Sequence, residues 1–166
     1  MMNEKFLVAY GTAAGSTAEV AQAIGEEIGK AGAMVDVRPV EEIKSLEGYD
    51  ALVLGSAVRV FHLLGSTRKF LRKFRRSMKT MPAAFFIVCM TMKEPTEENI
   101  EKAKGFAAPM LAVKEPVDLG LFAGCMDPEK VTGFFGKSMA SQPKEDCRDW
   151  DQIRAWGRDI VNKLAA

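Results

Sequence analysis

Three hydroxyl side chains and two glycines crowd into one short run: Gly11, Thr12, Ala13, Ala14, Gly15, Ser16 and Thr17. Small residues let a backbone curl closely round a ligand. The hydroxyls of Thr12, Ser16 and Thr17 suit phosphate oxygens, and a helix beginning near Ser16 adds unpaired N–H groups and the positive end of its dipole. The run contains no lysine, which excludes a nucleoside-triphosphate loop, and it lacks the G-x-G-x-x-G spacing of a dinucleotide site. A phosphate monoester held without a counter-cation is the chemistry that remains. The competing reading is structural, with Ser16 and Glu19 forming a capping box over a tight turn.

Two further runs carry groups suited to the faces of a flat heterocycle. On one side we expect Ser56, Ala57, Val58, Arg59, Phe61 and His62, and on the other Met90, Thr91, Met92 and Lys93. Arg59 beside such a ring favours negative charge on it; a unit charge at about 4 Å and an effective dielectric of about 20 contributes about 4 kcal/mol before desolvation. The alternative for Arg59 is a plain surface arginine. His62 is either a loop histidine or a proton donor, and its ordinary pKa range suits both. Cys89 and Cys125 read as small buried apolar residues, and the three cysteines, with Cys147, show no metal-ligand spacing. No residue is assigned a catalytic role and no metal site is expected.

The formal charge of +1 hides an asymmetry. Residues 51–93 carry nine Lys or Arg and no acid, so the rest of the chain is net negative. Seven of these cations (Arg68, Lys69, Arg72, Lys73, Arg75, Arg76 and Lys79) lie around an apolar stripe in the basic helix expected at 67–79. A solvated face is one reading. A docking site for an acidic protein partner is the second, and an anionic membrane surface the third. Nucleic acid is not expected, because no stacking aromatic surface or groove-reading motif accompanies the charge.

The elements that must position these residues follow from hydrophobic period. Short apolar runs at 5–10, 34–40, 50–56, 83–92 and 116–124 read as strands. Helical spacing marks 16–31, 67–79, 96–108 and 149–164, with Pro109 ending the third and Asp149 and Gln152 capping the fourth. Strands alternating with helices give an α/β doubly wound parallel sheet of five strands in the order 2-1-3-4-5. Its ligand site falls at the carboxyl ends of the strands, between the first and third. Residues 126–148 break the alternation and read as a surface insertion. A chain of 166 residues suits one domain. The longest nearly apolar run, about 12 residues, falls short of the ~20 a membrane-spanning helix needs. With no signal peptide apparent and an odd number of thiols, a cytoplasmic location is expected.

The run Thr12, Ala13, Ala14, Gly15, Ser16, Thr17 resembles the flavodoxin phosphate loop T/S-x-T-G-x-T, with Ala14 in place of the central hydroxyl. The resemblance covers nearly the whole chain, read as a single flavodoxin-like domain over 1–166. Within that superfamily, the stretch from Gly55 to Arg59 with His62, the run from Met81 to Phe85, and Leu121 to Gly124 are similar to the menaquinone-dependent protoporphyrinogen oxidase group. The resemblance implies non-covalent FMN, redox work and either protein partners or a quinone. Two departures stand out. The insertion is shorter and more acidic than in the oxidase group, and a pI of about 7.7 is far from that of the acidic flavodoxin carriers.

Flavodoxin carriers favour one-electron steps through a peptide that swings towards the flavin, usually at a glycine. The corresponding positions here are Ala57, Val58 and Arg59, and a β-branched valine resists positive φ, so a weak preference for one-electron steps is expected. The main expectation is an FMN-binding redox protein transferring electrons between cytoplasmic partners. The alternative is an FMN-dependent two-electron oxidoreductase of the quinone-dependent kind. A phosphorylation receiver shares the strand order but requires an Asp where Ser56 stands and an acidic pair near Gly11, so it is excluded.

Overall fold

Strands form where apolar residues run unbroken and both pleat faces meet helices. β1 (Lys5–Gly11) buries Phe6, Leu7, Val8 and Ala9 in succession. β3 (Ala51–Arg59) and β5 (Ala83–Cys89) are buried in the same continuous way. With β2 (Met34–Pro39) and β6 (Leu119–Ala123) they make a parallel sheet ordered β2-β1-β3-β5-β6. Counting only these five long strands, this is the expected 2-1-3-4-5 order. The computed structural model describes residues 3–127 and 144–165.

Alternation along β1 sorts its side chains into two cores. Leu7 and Ala9 face a layer built by α2 (Gly65–Lys73), α3 (Arg75–Lys79), α4 (Glu97–Phe106) and α5 (Ala108–Val113). Phe6 and Val8 face α1 (Ser16–Lys30) and α6 (Trp150–Ala165). The α1–α6 seam also buries Glu27, whose carboxylate accepts from Lys30 and Arg154, both at 3.1 Å, and from Arg158 at 3.4 Å. These cations, Lys30 foremost, hold its carboxyl below the ordinary range.

Several boundaries differ from those read off the sequence. β3 runs on to Arg59 because β4 (His62–Leu63) folds back on it as an antiparallel partner. The basic helix begins at Gly65 and divides at Phe74, whose φ of −107° leaves the helical range. β5 stops at Cys89, and Met90–Lys93 wind into a 3-10 turn instead of continuing the strand. Pro109 lies in the first turn of α5, where its missing N–H removes no intrahelical bond, so it opens a second helix after closing the first. Asp149 does cap α6, its Oδ1 accepting from the Gln152 N–H at 3.0 Å.

The base of the expected insertion is pinched shut. β7 (Cys125–Met126) pairs antiparallel with β8 (Glu145–Asp146), bringing both ends of the segment together. Residues 128–143, most of that insertion, lie outside the described residues.

Candidate functional site

A cleft with a cavity volume of about 240 Å³ opens at the carboxyl ends of β1, β3, β5 and β6. It spans the point where strand order reverses between β1 and β3, the place where open α/β sheets bind ligands. Four chain segments line it: the β1–α1 loop, the end of β3, the end of β5, and the stretch after β6.

The β1–α1 loop contributes Thr12, Ala13, Ala14, Ser16 and Thr17. Gly15 supplies the turn: its φ of 90° lies in the left-handed region where a Cβ is unfavourable. The Thr12 hydroxyl accepts from the Gly15 N–H at 2.9 Å and tightens the loop. The capping box does not form, because no side chain caps α1 and Glu19 turns to Arg148 instead. Thr17 is fully buried, yet its Oγ1 has no hydrogen-bond partner. Leaving a buried hydroxyl unsatisfied costs about 1–3 kcal/mol, and an acceptor entering the cleft would remove that penalty. A phosphate group fits this donor set: an orphaned hydroxyl beside an uncapped helix N-terminus.

The second segment behaves differently from expectation. Ala57, Val58 and Arg59 line the cleft, but Ser56 does not. The Ser56 hydroxyl is buried, donating to the Ala57 carbonyl and accepting from Thr67 Oγ1, both at 2.8 Å. Val58 pairs with Leu63 and Arg59 with His62, which makes Val60 and Phe61 the two-residue tip of a hairpin. Both tip residues have positive φ, 49° and 64°. Type I′ tips require this conformation and normally use Asn-Gly or Asp-Gly. A β-branched residue held there is strained. Phe61 therefore points outward, 71% exposed, with its ring 5.9 Å from that of Phe106, and neither it nor His62 lines the cleft.

On the third segment, Met90 reaches the cleft together with Val88 and Cys89. Thr91, Met92 and Lys93 do not line it. Met92 is buried in the core below, and Lys93 forms an ion pair with Glu145 at the base of the insertion. The 3-10 turn after Cys89 explains this, since it rotates successive side chains away from the sheet edge.

Sequence reasoning missed the fourth segment, Gly124 to Asp127, as well as Leu64, Val88 and Cys89. A signal for the fourth existed, because the last strand of a parallel sheet ends on the same edge as the others. Burial pushes the thiols of Cys89 and Cys125 up, so both line the cleft as neutral groups without thiolate character. No group of His, Cys, Asp or Glu among the described residues is arranged to hold a metal ion. No helix among them is long and apolar enough to cross a membrane.

Arg148 arrives at the first turn of α1 from far along the chain. It donates to the Ser16 carbonyl at 3.3 Å, to Glu19 at 2.7 Å and to Asp146 at 2.7 Å, and it stacks over Trp150. Two carboxylates match its charge, so it pins the first turn of α1 rather than offering the cleft a free cation.

Residues 7–145 match the family model described as Flavodoxin domain. The quinone-dependent protoporphyrinogen IX dehydrogenase of Escherichia coli strain K12 is 23% identical to this chain, covering 95% of each. Among solved structures, a flavodoxin from the domain Archaea superposes with a TM-score of 0.63 at 20% identity, covering 98% of this chain and 99% of that one. The oxidised flavodoxin 1 of Bacillus cereus superposes with a TM-score of 0.59 at 17% identity, covering 96% and 99%. At these identities the structural likeness speaks for the fold.

Proposed function

Since the chain belongs to the flavodoxin-domain family, we propose that it binds FMN non-covalently in the cleft and transfers electrons between cytoplasmic redox partners. The observation that carries this reading is the buried, partnerless Thr17 hydroxyl at the N-terminus of α1, facing the cleft at the switch point of the sheet. Thr12, Ser16 and Thr17, with the first amides of α1, would hold the phosphate. Ala57 to Arg59 and Val88 to Met90 would flank the ring, and Gly124 to Asp127 would close the remaining side. FMN supplies reversible uptake of one or two electrons. Arg59 adds positive charge to one wall and favours negative charge within the cleft. Apolar groups from Val88, Met90 and Leu64 exclude water there. All three cysteines are free thiols, in keeping with a reducing compartment.

A second reading is a two-electron oxidoreductase passing reducing equivalents to a quinone. The β3–β4 ladder favours it: pairing of Val58 with Leu63 and Arg59 with His62 ties down the peptides that one-electron carriers leave free to swing. The relative named as a quinone-dependent dehydrogenase points the same way.

The test is a comparison of FMN with riboflavin by quenching of flavin fluorescence in the apoprotein. Binding of FMN at least about 100-fold tighter, about 2.7 kcal/mol, supports the phosphate site. Equal affinity, or none for either, overturns the reading. An anaerobic reductive titration then counts electrons. Two resolved steps favour the carrier; a single step, followed by reoxidation with a soluble quinone, favours the oxidoreductase.

A further inference from the structure

The seven cations of α2 and α3, Arg68, Lys69, Arg72, Lys73, Arg75, Arg76 and Lys79, form no ion pair with any described residue. Ten lysines and arginines elsewhere do form ion pairs, so the contrast belongs to this face and not to the chain as a whole. Like charges held together without counter-charges cost stability, and an acidic surface brought against them would relieve the repulsion.

Charge alone does not distinguish a protein from a membrane; the distribution of apolar side chains does. A helix that enters a membrane interface exposes Leu, Phe or Trp between its cations. Here Phe70, Leu71, Phe74 and Met78 are all buried, leaving the outer face cationic and polar. Two of the five exposed large apolar side chains among the described residues sit next door, at the hairpin tip, with Val60 54% and Phe61 71% exposed, and Leu111 of α5 is a third at 39%.

The tip is tied to the neighbouring helical layer by one ring contact. Phe61 rests on Phe106, the last residue of α4. Three residues on, Pro109 enters a groove between α2 and α5, floored by Leu71 and Val113 and flanked by Arg68, Arg72 and Arg75. An exposed aromatic on the same helical layer as an arginine-lined groove has the make-up of a protein–protein interface. The strained left-handed tip keeps both apolar side chains outward, and strain of this kind persists where it serves a site. Val60 also lines the cleft, so the tip lies at the rim of the site.

We propose that the Val60–Phe61 tip and the arginine-flanked α2–α5 groove form the docking face for an acidic redox protein that presents an apolar side chain. The proposal rests on the flavin reading for its purpose, but its physical basis is independent of the cofactor. Docking here places the partner against the cleft rim, with long-range attraction steering the encounter.

The test uses a plant-type ferredoxin, an acidic iron–sulfur protein, as the probe and basic cytochrome c as the charge control. Calorimetric titration of the FMN-reconstituted protein should show binding to ferredoxin and not to cytochrome c. The affinity should fall at least about 10-fold as salt rises from about 0.05 M to about 0.5 M. The triple change Arg68→Glu, Arg72→Glu and Arg75→Glu should weaken binding at least about 10-fold, as should Phe61→Ser alone, while Lys102→Glu with Lys104→Glu on α4 should leave it within about twofold. Circular dichroism and FMN affinity of each variant separate loss of docking from loss of fold or of the flavin site. No ferredoxin binding, or equal binding by all variants, overturns the proposal. So does retention on anionic phosphatidylglycerol vesicles without ferredoxin binding, which would assign the face to a membrane. Self-association abolished by the triple change would assign it to a second copy of the chain. Ferredoxin binding by a protein that takes up no FMN would leave the docking face standing and remove the flavin reading.

Discussion

Arg148 closes a 2.7 Å ion pair with Glu19 across 129 residues of sequence. Its guanidinium also grips Asp146 in β8 and the Ser16 carbonyl in α1. One side chain thereby fastens the base of the insertion to the first turn of α1. Arg148 is 8% exposed, whereas Glu19 and Asp146 are 54% and 38% exposed, so the attraction is partly screened by water. Arg148→Ala should lower unfolding stability by about 1–2 kcal/mol, below the range for fully buried pairs. It should also weaken FMN binding several-fold by loosening the loop, with Arg148→Lys recovering part of the affinity. Urea denaturation and fluorescence titration measure the two effects, and unchanged FMN affinity in Arg148→Ala would show that the loop holds its shape without the clamp.

Thr17 and its missing partner yield effects of opposite sign. Thr17→Val removes a buried hydroxyl that bonds to nothing in the free protein. The apoprotein should become more stable by about 1 kcal/mol. FMN affinity should fall about 10-fold, corresponding to about 1.4 kcal/mol. Melting of apo and FMN-loaded forms decides it: stabilisation of both forms would sink the assignment of Thr17 to the phosphate.

The hairpin tip should trade stability against docking. Changing Val60→Asn together with Phe61→Gly installs the residues that type I′ turns prefer. Relief of left-handed strain should raise stability by about 1–2 kcal/mol, offset in part by loss of the Phe61–Phe106 contact. The same double change should weaken ferredoxin binding at least as much as Phe61→Ser. A destabilised double variant would show that the tip residues contribute more through packing than they lose through strain.

Acid should unlock the base of the insertion. Arg148 holds the Asp146 carboxyl down from its ordinary 3.8 to about 2. Above about pH 5, Asp146 is ionised both folded and unfolded, and the pairing contributes in full. As pH falls towards 2, the unfolded chain takes up the proton first, so this contribution shrinks and then disappears. Asp146→Asn should therefore flatten the acid limb of the stability profile, read as urea midpoints between about pH 5 and about pH 2.5. An acid limb of unchanged slope would show that Asp146 is not among the groups that set it.

The layers of the fold were legible because their causes are local. Phe6 to Ala9, Ala51 to Leu54 and Ala83 to Val88 are continuous apolar runs, and such runs are buried on both faces wherever the sheet is parallel. The β1–α1 loop as a wall of the cleft was equally legible, since the left-handed turn at Gly15 and the hydroxyls around it follow from backbone freedom and residue chemistry. The second and third segments were legible only in part. Ala57, Val58, Arg59 and Met90 reach the cleft, while Ser56, Phe61, His62 and Met92 do not. Which way a side chain near a strand end points depends on whether the strand continues, bends or winds into a turn, and nothing within a few residues of it decides that.

The sequence by itself determined the parallel sheet, its strand order and the loop at the end of β1, because period, burial and glycine placement act within one element at a time. Only the tertiary structure decided that Val60 and Phe61 take left-handed conformations against their own preference, since pairing of His62 and Leu63 with β3 overrides local propensity. It alone brought Arg148 to Glu19 and Gly124 to Asp127 into the cleft wall. Those relationships join residues far apart in the chain, and their energies exist only once the sheet has brought the segments together.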